Sequence, residues 1–549
     1  MSPLIALPVA ISGMVDLLDL LNTVWGRINY LFGSPVQMFG AWAWQHTAYY
    51  LLCPEIFLLV AILVICLIEV FSKRDNFVLV SWVAVISLLL NFLMTVHMMY
   101  YTSRYFTYAL GVWWGGLETL DPYAIFFKQV MDWGDILLML ALLTYRPLKR
   151  FKVEFIIVML TGTVAYDLMV GSSDLLAVYV MMEFGGICSY ILASFYKRDL
   201  RSLESGLKYF ITGAASSTAM LFALSILYGT LNTTNFYALQ QALQAGGAKL
   251  PPVIFAVVLT IVALGYKVGI APFHLWVADV YEGAPTPVAA FLSVFPKVAG
   301  YAVLLRLLFI PFGPLVDVWR PVVLAIAVLS MLIGNVMALR QTSFKRMMGF
   351  SGIAHMGYVL IGIIAASFAS TDPSRTLGFY AAMYYMLTYL FMNLGAFLVA
   401  LAVENHGGSD HMDSYNGLIK RNAFLAVLMT VLLAGLIGLP PTVGFIGKLL
   451  VFYSITYYYL VPWNLVLVIF AVLATVIGSY YYMMLAYRMW ALPPLPALAR
   501  RFEPALFMRL SILVPTLLVF VLGVIFVSVP FDYVKGAWFL TYYTEGTGI

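Results

Sequence analysis

Charge is scarce in this sequence. Of its 549 residues, 10% are Asp, Glu, Lys or Arg and 63% are hydrophobic, whereas soluble domains carry about 25% charged residues. No soluble core could enclose so much apolar surface, and we therefore expect the lipid bilayer to surround most of the chain. The formal net charge of +5 is small for this length and argues against nucleic acid as a partner.

Cysteine clusters and nucleotide-binding loops are also lacking. Cys53, Cys66 and Cys188 stand singly in apolar runs, without the spacing of a disulfide, zinc or iron–sulfur site. No GxGxxG loop of the dinucleotide-binding type is present. The longest polar stretch, near 404–422, leaves no room for a soluble catalytic domain. We expect no cofactor and no metal on this chain.

Apolar runs long enough to cross a bilayer, about 20 residues each, fill most of the sequence. Cutting the chain at charged or Pro/Gly-rich breaks predicts an all-α polytopic membrane protein with about fourteen transmembrane helices. The seventh and twelfth predicted spans are long and interrupted by proline. The predicted spans are 50–71, 76–101, 122–146, 152–171, 174–196, 204–229, 252–281, 286–310, 316–340, 346–369, 374–403, 421–459, 462–488 and 507–530.

Lysine and arginine are distributed unevenly between the loops. Eighteen of them lie in or beside the loops that follow odd-numbered spans, and four lie in loops between spans that follow even-numbered ones. Because cytoplasmic loops carry the excess of basic residues, this asymmetry predicts that both termini lie on the non-cytoplasmic side.

Four lysines and a glutamate at membrane depth form a series along the sequence: Glu183, Lys208, Lys267, Lys297 and Lys448. Glu183 lies near the middle of the fifth span, so it is expected near the bilayer midplane. A charge at this depth costs several kcal/mol unless it has a partner or a wet cavity, which favours a functional role. Lys208 and Lys267 are both candidate partners for Glu183, although Lys208 could also simply extend to the membrane surface.

Lysine suits reversible proton transfer at depth. Burial lowers the pKa of an amine towards neutrality and an approaching carboxylate raises it again, so a Glu–Lys pair can load and release a proton as it closes and opens. His274, in APFHLW, and His355, in SGIAHMGYVL, would extend such a relay, although a buried histidine is also often only a hydrogen-bonded core residue. The predicted site comprises Glu183, Lys208, Lys267, Lys297, Lys448, His274 and His355.

Proline interrupts the two long spans beside lysines. Lys267 lies five residues before Pro272, and Lys448 lies seven residues after Pro441. Broken helices at corresponding positions of two halves are typical of inverted repeats with an ion path between them. We expect such repeats within a transmembrane domain of residues 49–530. A peripheral or interfacial extension, 1–48, would precede this domain and a tail, 531–549, would follow it.

Four sequence motifs carry a family resemblance. They are GYKVGIAPFHLWVADVYEGAPTPVAAFLSVFPKVAGY, KRDLRSLESGLKYF, SGIAHMGYVL and LIGLPPTVGFIGKLLVF. Together they resemble the antiporter-like N subunits of proton-pumping NADH:quinone oxidoreductase, respiratory complex I, over roughly residues 50 to 530. The sister M subunits differ, with a glutamate expected where this chain has Lys448. The sequence also departs from the family, which usually has Thr-Pro where Val277 and Ala278 stand here.

The resemblance implies a fourteen-helix antiporter-like fold with two inverted five-helix repeats, helices four to eight and nine to thirteen, and broken helices 7 and 12. By motif, Glu183 would be the fifth-helix glutamate, and Lys267, Lys297 and Lys448 the lysines of the seventh, eighth and twelfth helices. FMN, iron–sulfur clusters and quinone would belong to other subunits. Partners would be the neighbouring M subunit, small K, J, A and H type subunits, lipids and the transported protons.

Other functions stay open at this point. The chain could belong to a multisubunit Mrp-type sodium/proton antiporter, to a related ferredoxin-dependent or hydrogenase complex, or to a scaffold whose buried charges only hold helices together. DVYEGAPTPV and Lys448 argue against the Mrp type, and the excess of deep lysines over carboxylates argues against the scaffold. We expect a multi-pass protein of a bacterial plasma membrane, with the thylakoid membrane as the alternative.

Overall fold

The structure, a computed structural model, describes residues 52–71, 77–104, 112–113, 116–119, 121–148, 152–247, 250–368, 373–456 and 462–524. Within these ranges one small sheet accompanies the helices, in which β1 (Val112–Trp113) pairs antiparallel with β2 (Glu118–Thr119). The predicted N-terminal extension, 1–48, and the predicted tail, 531–549, lie outside the described residues.

Eighteen α-helices follow one another along the described part of the chain. They are α1 (Cys53–Phe71), α2 (Phe77–Arg104), α3 (Pro122–Leu142), α4 (Lys152–Gly171), α5 (Leu175–Ala193), α6 (Leu200–Leu231), α7 (Phe236–Gln244), α8 (Pro251–Val268), α9 (Leu275–Gly283), α10 (Thr286–Phe309), α11 (Val316–Ala338), α12 (Phe344–Ser367), α13 (Pro373–Glu404), α14 (Leu418–Arg421), α15 (Ala423–Ile437), α16 (Val443–Thr456), α17 (Pro462–Ala491) and α18 (Leu506–Val524).

Twelve helices in the described ranges are long and apolar enough to cross a membrane. This confirms the prediction of an all-α polytopic membrane protein. α3 has the necessary length but carries Lys128, Asp132 and Asp135, and α15 and α16 are shorter apolar helices.

Polar residues at the loop boundaries set where several helices begin. The carboxylate of Asp121 accepts a hydrogen bond from the backbone N–H of Ala124 at the start of α3, where Pro122 occupies the first helical position. Asp174 caps α5 in the same way, and Asn422 caps α15. Such caps supply acceptors for N–H groups that have no partner within the helix.

The centre of the bundle is formed by α10, α12 and α13. In each of these helices, every residue of the most apolar 18-residue stretch is buried. In α1, α6, α17 and α18, only about a third of the residues in the corresponding stretch are buried. The outer helices expose large apolar side chains such as Leu63, Leu207 and Val476, as expected for surfaces that face lipid. The central helices are therefore the ones that can hold polar groups away from both lipid and water.

Two helix breaks have the same backbone design. α8 ends at Gly269 and α15 at Gly438, both in the left-handed conformation, with φ of 74° and 86°. The residues after these glycines, Ile270 and Leu439, donate backbone hydrogen bonds to carbonyls five residues earlier. This is the Schellman arrangement of helix ends, and proline follows each within three residues. The predicted proline interruptions thus lie between helices, Pro272 between α8 and α9, and Pro440 and Pro441 between α15 and α16.

Glycine is required at these ends because left-handed backbone strains other residues. We predict that Gly438→Ala destabilises the protein by about 1–3 kcal/mol, while Gly229→Ala does not. Gly229 is helical and an added Cβ would meet no atom within 4 Å. Thermal denaturation of the purified membrane assembly carrying each variant checks this. Equal melting temperatures for the two variants would contradict it.

Candidate functional site

The first predicted residue, Glu183, lies on the middle of α5 and faces α6. The hydroxyl of Ser217 on α6 donates a short hydrogen bond to Oε1 of Glu183. Glu183 is only partly buried, and no ion pair holds it among the described residues. Its hydrogen-bond partner is therefore a neutral hydroxyl.

Lys267 is the cation next to Glu183. It lies in the last turn of α8, where it is 3% exposed, and its Nζ donates to the carbonyl of Met182 at 3.2 Å. Glu183, the next residue along α5, acts on Lys267 electrostatically without forming a direct ion pair. The ammonium also lies close to Gly186 of α5, since a Cβ atom added to this glycine would be 3.3 Å from Nζ. The geometry thus selects Lys267 as the nearer of the two predicted partners.

Lys208 is not a partner of Glu183 in this structure. Its Nζ binds Glu204 at 2.8 Å and Asp279 at 2.9 Å, and its side chain is 46% exposed. Arg346 also binds Asp279, at 2.8 Å. The depth of Lys208 in the apolar run did not indicate the direction of its side chain, which points to Asp279 in the middle of α9 rather than to α5.

Lys297 occupies the centre of the fold on α10, where it is 1% exposed. Its Nζ has no hydrogen-bond acceptor among the described residues. The rings of Tyr281 and Tyr389 lie 5.7 and 5.9 Å away, and a Cβ on Gly352 would lie 2.4 Å from Nζ. Burying an ammonium without an acceptor is costly, so the charge of Lys297 depends closely on its surroundings.

His355 lies one turn beyond Gly352 on α12 and is 2% exposed. Its two ring nitrogens hydrogen-bond the hydroxyls of Tyr385 and Tyr482, at 2.9 and 3.1 Å. Lys297 and Lys448 are both near enough to act on the imidazole electrostatically. His355 is therefore hydrogen-bonded on both nitrogens and lies in the field of both lysines.

Lys448 uses the second helix break. Its Nζ donates to the carbonyls of Leu436 and Ile437 at the end of α15, at 3.1 and 2.8 Å. These carbonyls carry the negative end of the helix dipole, which favours a cation there. The ring of Tyr358 lies 4.9 Å from Nζ. Lys448 is 7% exposed, and the break supplies the acceptors that its burial requires.

His274 stands apart from these contacts. It precedes the first residue of α9, is 8% exposed, and its Nδ1 has no partner among the described residues. No hydrogen bond in the described part of the chain joins it to Lys267 or Lys297. Its predicted part in a relay remains a prediction.

Comparison with known proteins gives the family. Residues 172–478 match the family described as NADH:quinone oxidoreductase/Mrp antiporter, TM. NADH-quinone oxidoreductase subunit N of Chlorobium chlorochromatii is 35% identical over 453 residues, which cover 80% of this chain and 85% of that protein. The chain belongs to the subunit N family of NADH-quinone oxidoreductases. The resemblance drawn from the motifs is thereby confirmed.

Solved structures share the fold of this subunit N homologue. A chain of respiratory complex I from Thermus thermophilus is 25% identical with a TM-score of 0.67, and the match covers 86% of this chain and 96% of that one. A chain of the Mrp complex from Dietzia sp. DQ12-45-1b is 19% identical with a TM-score of 0.76, covering 89% and 98%. The antiporter-like fold is thus confirmed.

The departure from the family motif leaves the first break intact. Val277 and Ala278 are buried in α9, and a Cβ on Gly269 would lie 2.9 Å from Val277. Val277 therefore packs against the left-handed end of α8.

Sequence reasoning missed the hydroxyl groups of the site. Ser217, Tyr385 and Tyr482 contact the predicted residues directly. The ring of Tyr358 lies beside the ammonium of Lys448, and its hydroxyl accepts a hydrogen bond from Thr475 at 3.1 Å. Tyrosine counts as an apolar residue in a span prediction, so its hydroxyl carried no signal.

The Glu183 contacts give a spectroscopic prediction for the intact complex. Ser217→Ala is expected to shift the infrared carboxyl band of Glu183, because the variant removes its hydrogen-bond donor. Lys208→Gln is expected to leave that band unchanged. The band is assigned by its loss in Glu183→Gln. A shift with Lys208→Gln and none with Ser217→Ala would contradict the geometry described above.

Proposed function

We propose that this chain is the proton-translocating N subunit in the membrane arm of a NADH:quinone oxidoreductase of the complex I type. The observation that carries this proposal is a group of three buried lysines, Lys267, Lys297 and Lys448, none of which forms an ion pair with a carboxylate in the described part of the chain. A buried charge without an ion-pair partner in a membrane protein rarely has a structural role, because an apolar side chain would fill the same position at a lower free-energy cost. Membership of the subunit N family supports the same conclusion.

The fold then comprises fourteen spans in two inverted five-helix repeats. In this count α3 is the third span, α8 and α9 form the seventh, and α15 and α16 form the twelfth. Approximate repeats over 152–310 and 316–488 would each contain one broken span. The matching Schellman ends at Gly269 and Gly438 support the proposal, since each repeat contributes one of them.

Protons would move along a series that begins at Glu183 and Lys267. A carboxylate that approaches Lys267 stabilises its ammonium, and withdrawal of the carboxylate releases the proton. Lys297 would accept the proton next, because its side chain lies against the end of α8, the helix that carries Lys267. A Cβ atom added to Gly269 there would lie 4.0 Å from Cε of Lys297. His355, with Tyr385 and Tyr482 on its nitrogens, would connect Lys297 to Lys448 as the exit group.

Lys208 takes a different place in this scheme. Its contacts with Glu204 and Asp279 put it among partly exposed charges, where it can collect or return protons without being part of the buried series. The role of His274 would be similar, at the start of α9.

The free energy for transport would come from other subunits. FMN, iron–sulfur clusters and quinone would reside there, and the coupling would reach this chain through a neighbouring M subunit and small K, J, A and H type subunits. The loop charges favour both termini on the non-cytoplasmic side of a bacterial plasma membrane, or the corresponding side of a thylakoid membrane. A ferredoxin-dependent or hydrogenase-linked complex would use the same chain in the same way.

A second candidate is a subunit of an Mrp-type sodium/proton antiporter. Its support is the shared fold with the Dietzia Mrp complex, and fold alone does not determine function. An antiporter would exchange sodium for protons without any electron donor, so the two candidates differ in an assay that supplies or withholds NADH.

The assay is proton uptake by proteoliposomes that contain the purified complex. Lys267→Ala is expected to lower the number of protons moved per NADH oxidised while the complex still assembles, because the series loses its first buried amine. Lys208→Ala is the matched control and is expected to retain most transport, because its side chain is already half exposed. Unchanged coupling in Lys267→Ala would overturn the relay. Sodium-driven proton movement without NADH would favour the antiporter.

A further inference from the structure

The first four helices enclose a second group of buried ionisable side chains, which the lysine series does not use. They are Glu55 on α1, Lys128, Asp132 and Asp135 on α3, and Asp167 on α4, and each is at most 3% exposed. The three residues on α3 are spaced four and three apart, which places them on one face of that helix. This group, called here the α3 cluster, extends along the helix by about 10 Å.

The contacts within the α3 cluster come from α1, α2 and α4. Lys128 and Glu55 form an ion pair at 2.5 Å. Asn91 and Thr95 of α2 donate to the two oxygens of Asp132, at 2.8 and 3.2 Å. On α4, Thr163 donates to Asp135 at 2.7 Å, and Asp167 is near enough to Asp132, Asp135 and Lys128 to interact with them electrostatically.

Glu118 joins the cluster from β2, which precedes α3. A Cβ on Gly171 would lie 2.3 Å from Oε2 of Glu118 and 3.6 Å from Nζ of Lys128, so the two side chains meet over the backbone of this glycine. Ser172 donates to Oε1 of Glu118 at 3.4 Å. Burial raises the pKa of Glu118 to about 8, although the positive charges of Lys128 and Arg306 oppose the shift. Glu118 is thus protonated over most of the range below pH 8.

Charge balance requires protons in this group. Among the residues that the structure describes, its five carboxyl groups face one ammonium, since the nearby Arg306 is already paired with Asp121 at 2.8 Å. If every carboxyl were ionised, the buried group would carry four uncompensated negative charges, which the membrane interior does not support. Several of the carboxyls must therefore hold protons.

Unfilled acceptors mark where such protons lie. Oδ1 of Asp167, Oδ1 of Asp135 and Oδ1 of Asn91 are buried and have no donor among the described residues. Asn91 is uncharged and donates to Asp132 through its amide nitrogen. Its amide oxygen has no hydrogen-bond donor among the described residues. Buried acceptors are normally satisfied, and a protonated carboxyl is the donor that would satisfy them.

The cluster is separated from the lysine series by the aromatic face of α10. The rings of Phe291 and Phe295 stack with their centroids 4.3 Å apart. Phe291 packs against Gly162 of α4, where an added Cβ atom would lie 3.5 Å from its ring, and Phe295 packs against Gly134 of α3, where the distance would be 2.9 Å. Lys297, on the same helix, points instead at Gly352 of α12. The two polar groups therefore have no direct connection through α10.

We propose that α1 to α4 hold a second proton path, in which Asp167, Asp132 and Asp135 exchange protons with the membrane surface through Lys128 and Glu118. The ligand is the proton rather than a metal ion, since no group of three or more His, Cys, Asp or Glu side chains in the described residues could hold a metal. The path goes beyond the lysine series proposed above and does not depend on it. It opens at Glu118, which the loop charges assign to the non-cytoplasmic surface.

The test is infrared spectroscopy of the intact purified complex with isotope-labelled aspartate carboxyls. At neutral pH the wild-type protein is expected to show carbonyl bands of protonated aspartates. Asp132→Asn and Asp167→Asn should each change or remove part of that signal, and the control Asp317→Asn should not, because this side chain is 90% exposed. The absence of protonated aspartate bands in the wild-type protein would overturn the proposal, whether or not any variant assembles.

Exchange with heavy water tests the path itself. The wild-type aspartate bands are expected to shift when the complex is transferred to D₂O. In Gly171→Ala that shift should become slower, since the added Cβ separates Glu118 from Lys128. Bands that never shift would show sealed structural acids and no path. Lys267→Ala should leave both observations unchanged, so a failure of the lysine series and a failure of this path are distinguishable.

Discussion

The cost of an ammonium in a medium without water is the constraint on which the rest of this structure depends. Three buried lysines differ in how far hydrogen bonds offset this cost. Lys267 binds a carbonyl of α5, Lys448 caps the end of α15, and Lys297 has no acceptor in the described part of the chain. The fully buried helices α10, α12 and α13 keep lipid away from them. The series thus passes from better satisfied amines at its ends to an unsatisfied one at its centre.

The helix breaks follow from the same constraint. Carbonyls within a helix accept from backbone N–H groups of the same helix, whereas those of its last turn have no such partner. Ending α15 at Gly438 frees the carbonyls of Leu436 and Ile437, and Lys448 reaches back from α16 to bind both. At the end of α8, by contrast, the indole of Trp276 donates to the carbonyl of Tyr266 at 3.1 Å. The two breaks therefore share a backbone design but serve different side chains.

Much of the fold could be predicted from the sequence, because hydrophobic runs and prolines act locally. The helical class and both breaks followed from such features, as did the depth of Lys267 and Lys448. The partners could not be predicted, since a run of apolar residues gives depth in the membrane but not the direction of a side chain. Lys208 turned to Asp279 for this reason. The α3 cluster was missed although the spacing of Lys128, Asp132 and Asp135 was visible, because the third span was predicted from its length and its charged residues were not considered.

Replacement of Lys297 by methionine tests the central claim most directly. Methionine has similar length and no charge, so it can fill the same space without the cost of burial. If Lys297 is kept for proton transfer, the Lys297→Met complex will melt at the same temperature as the wild type or higher, and it will move fewer protons per NADH oxidised. A complex that melts at a lower temperature and retains full proton transport would contradict the account, since Lys297 would then be a structural residue.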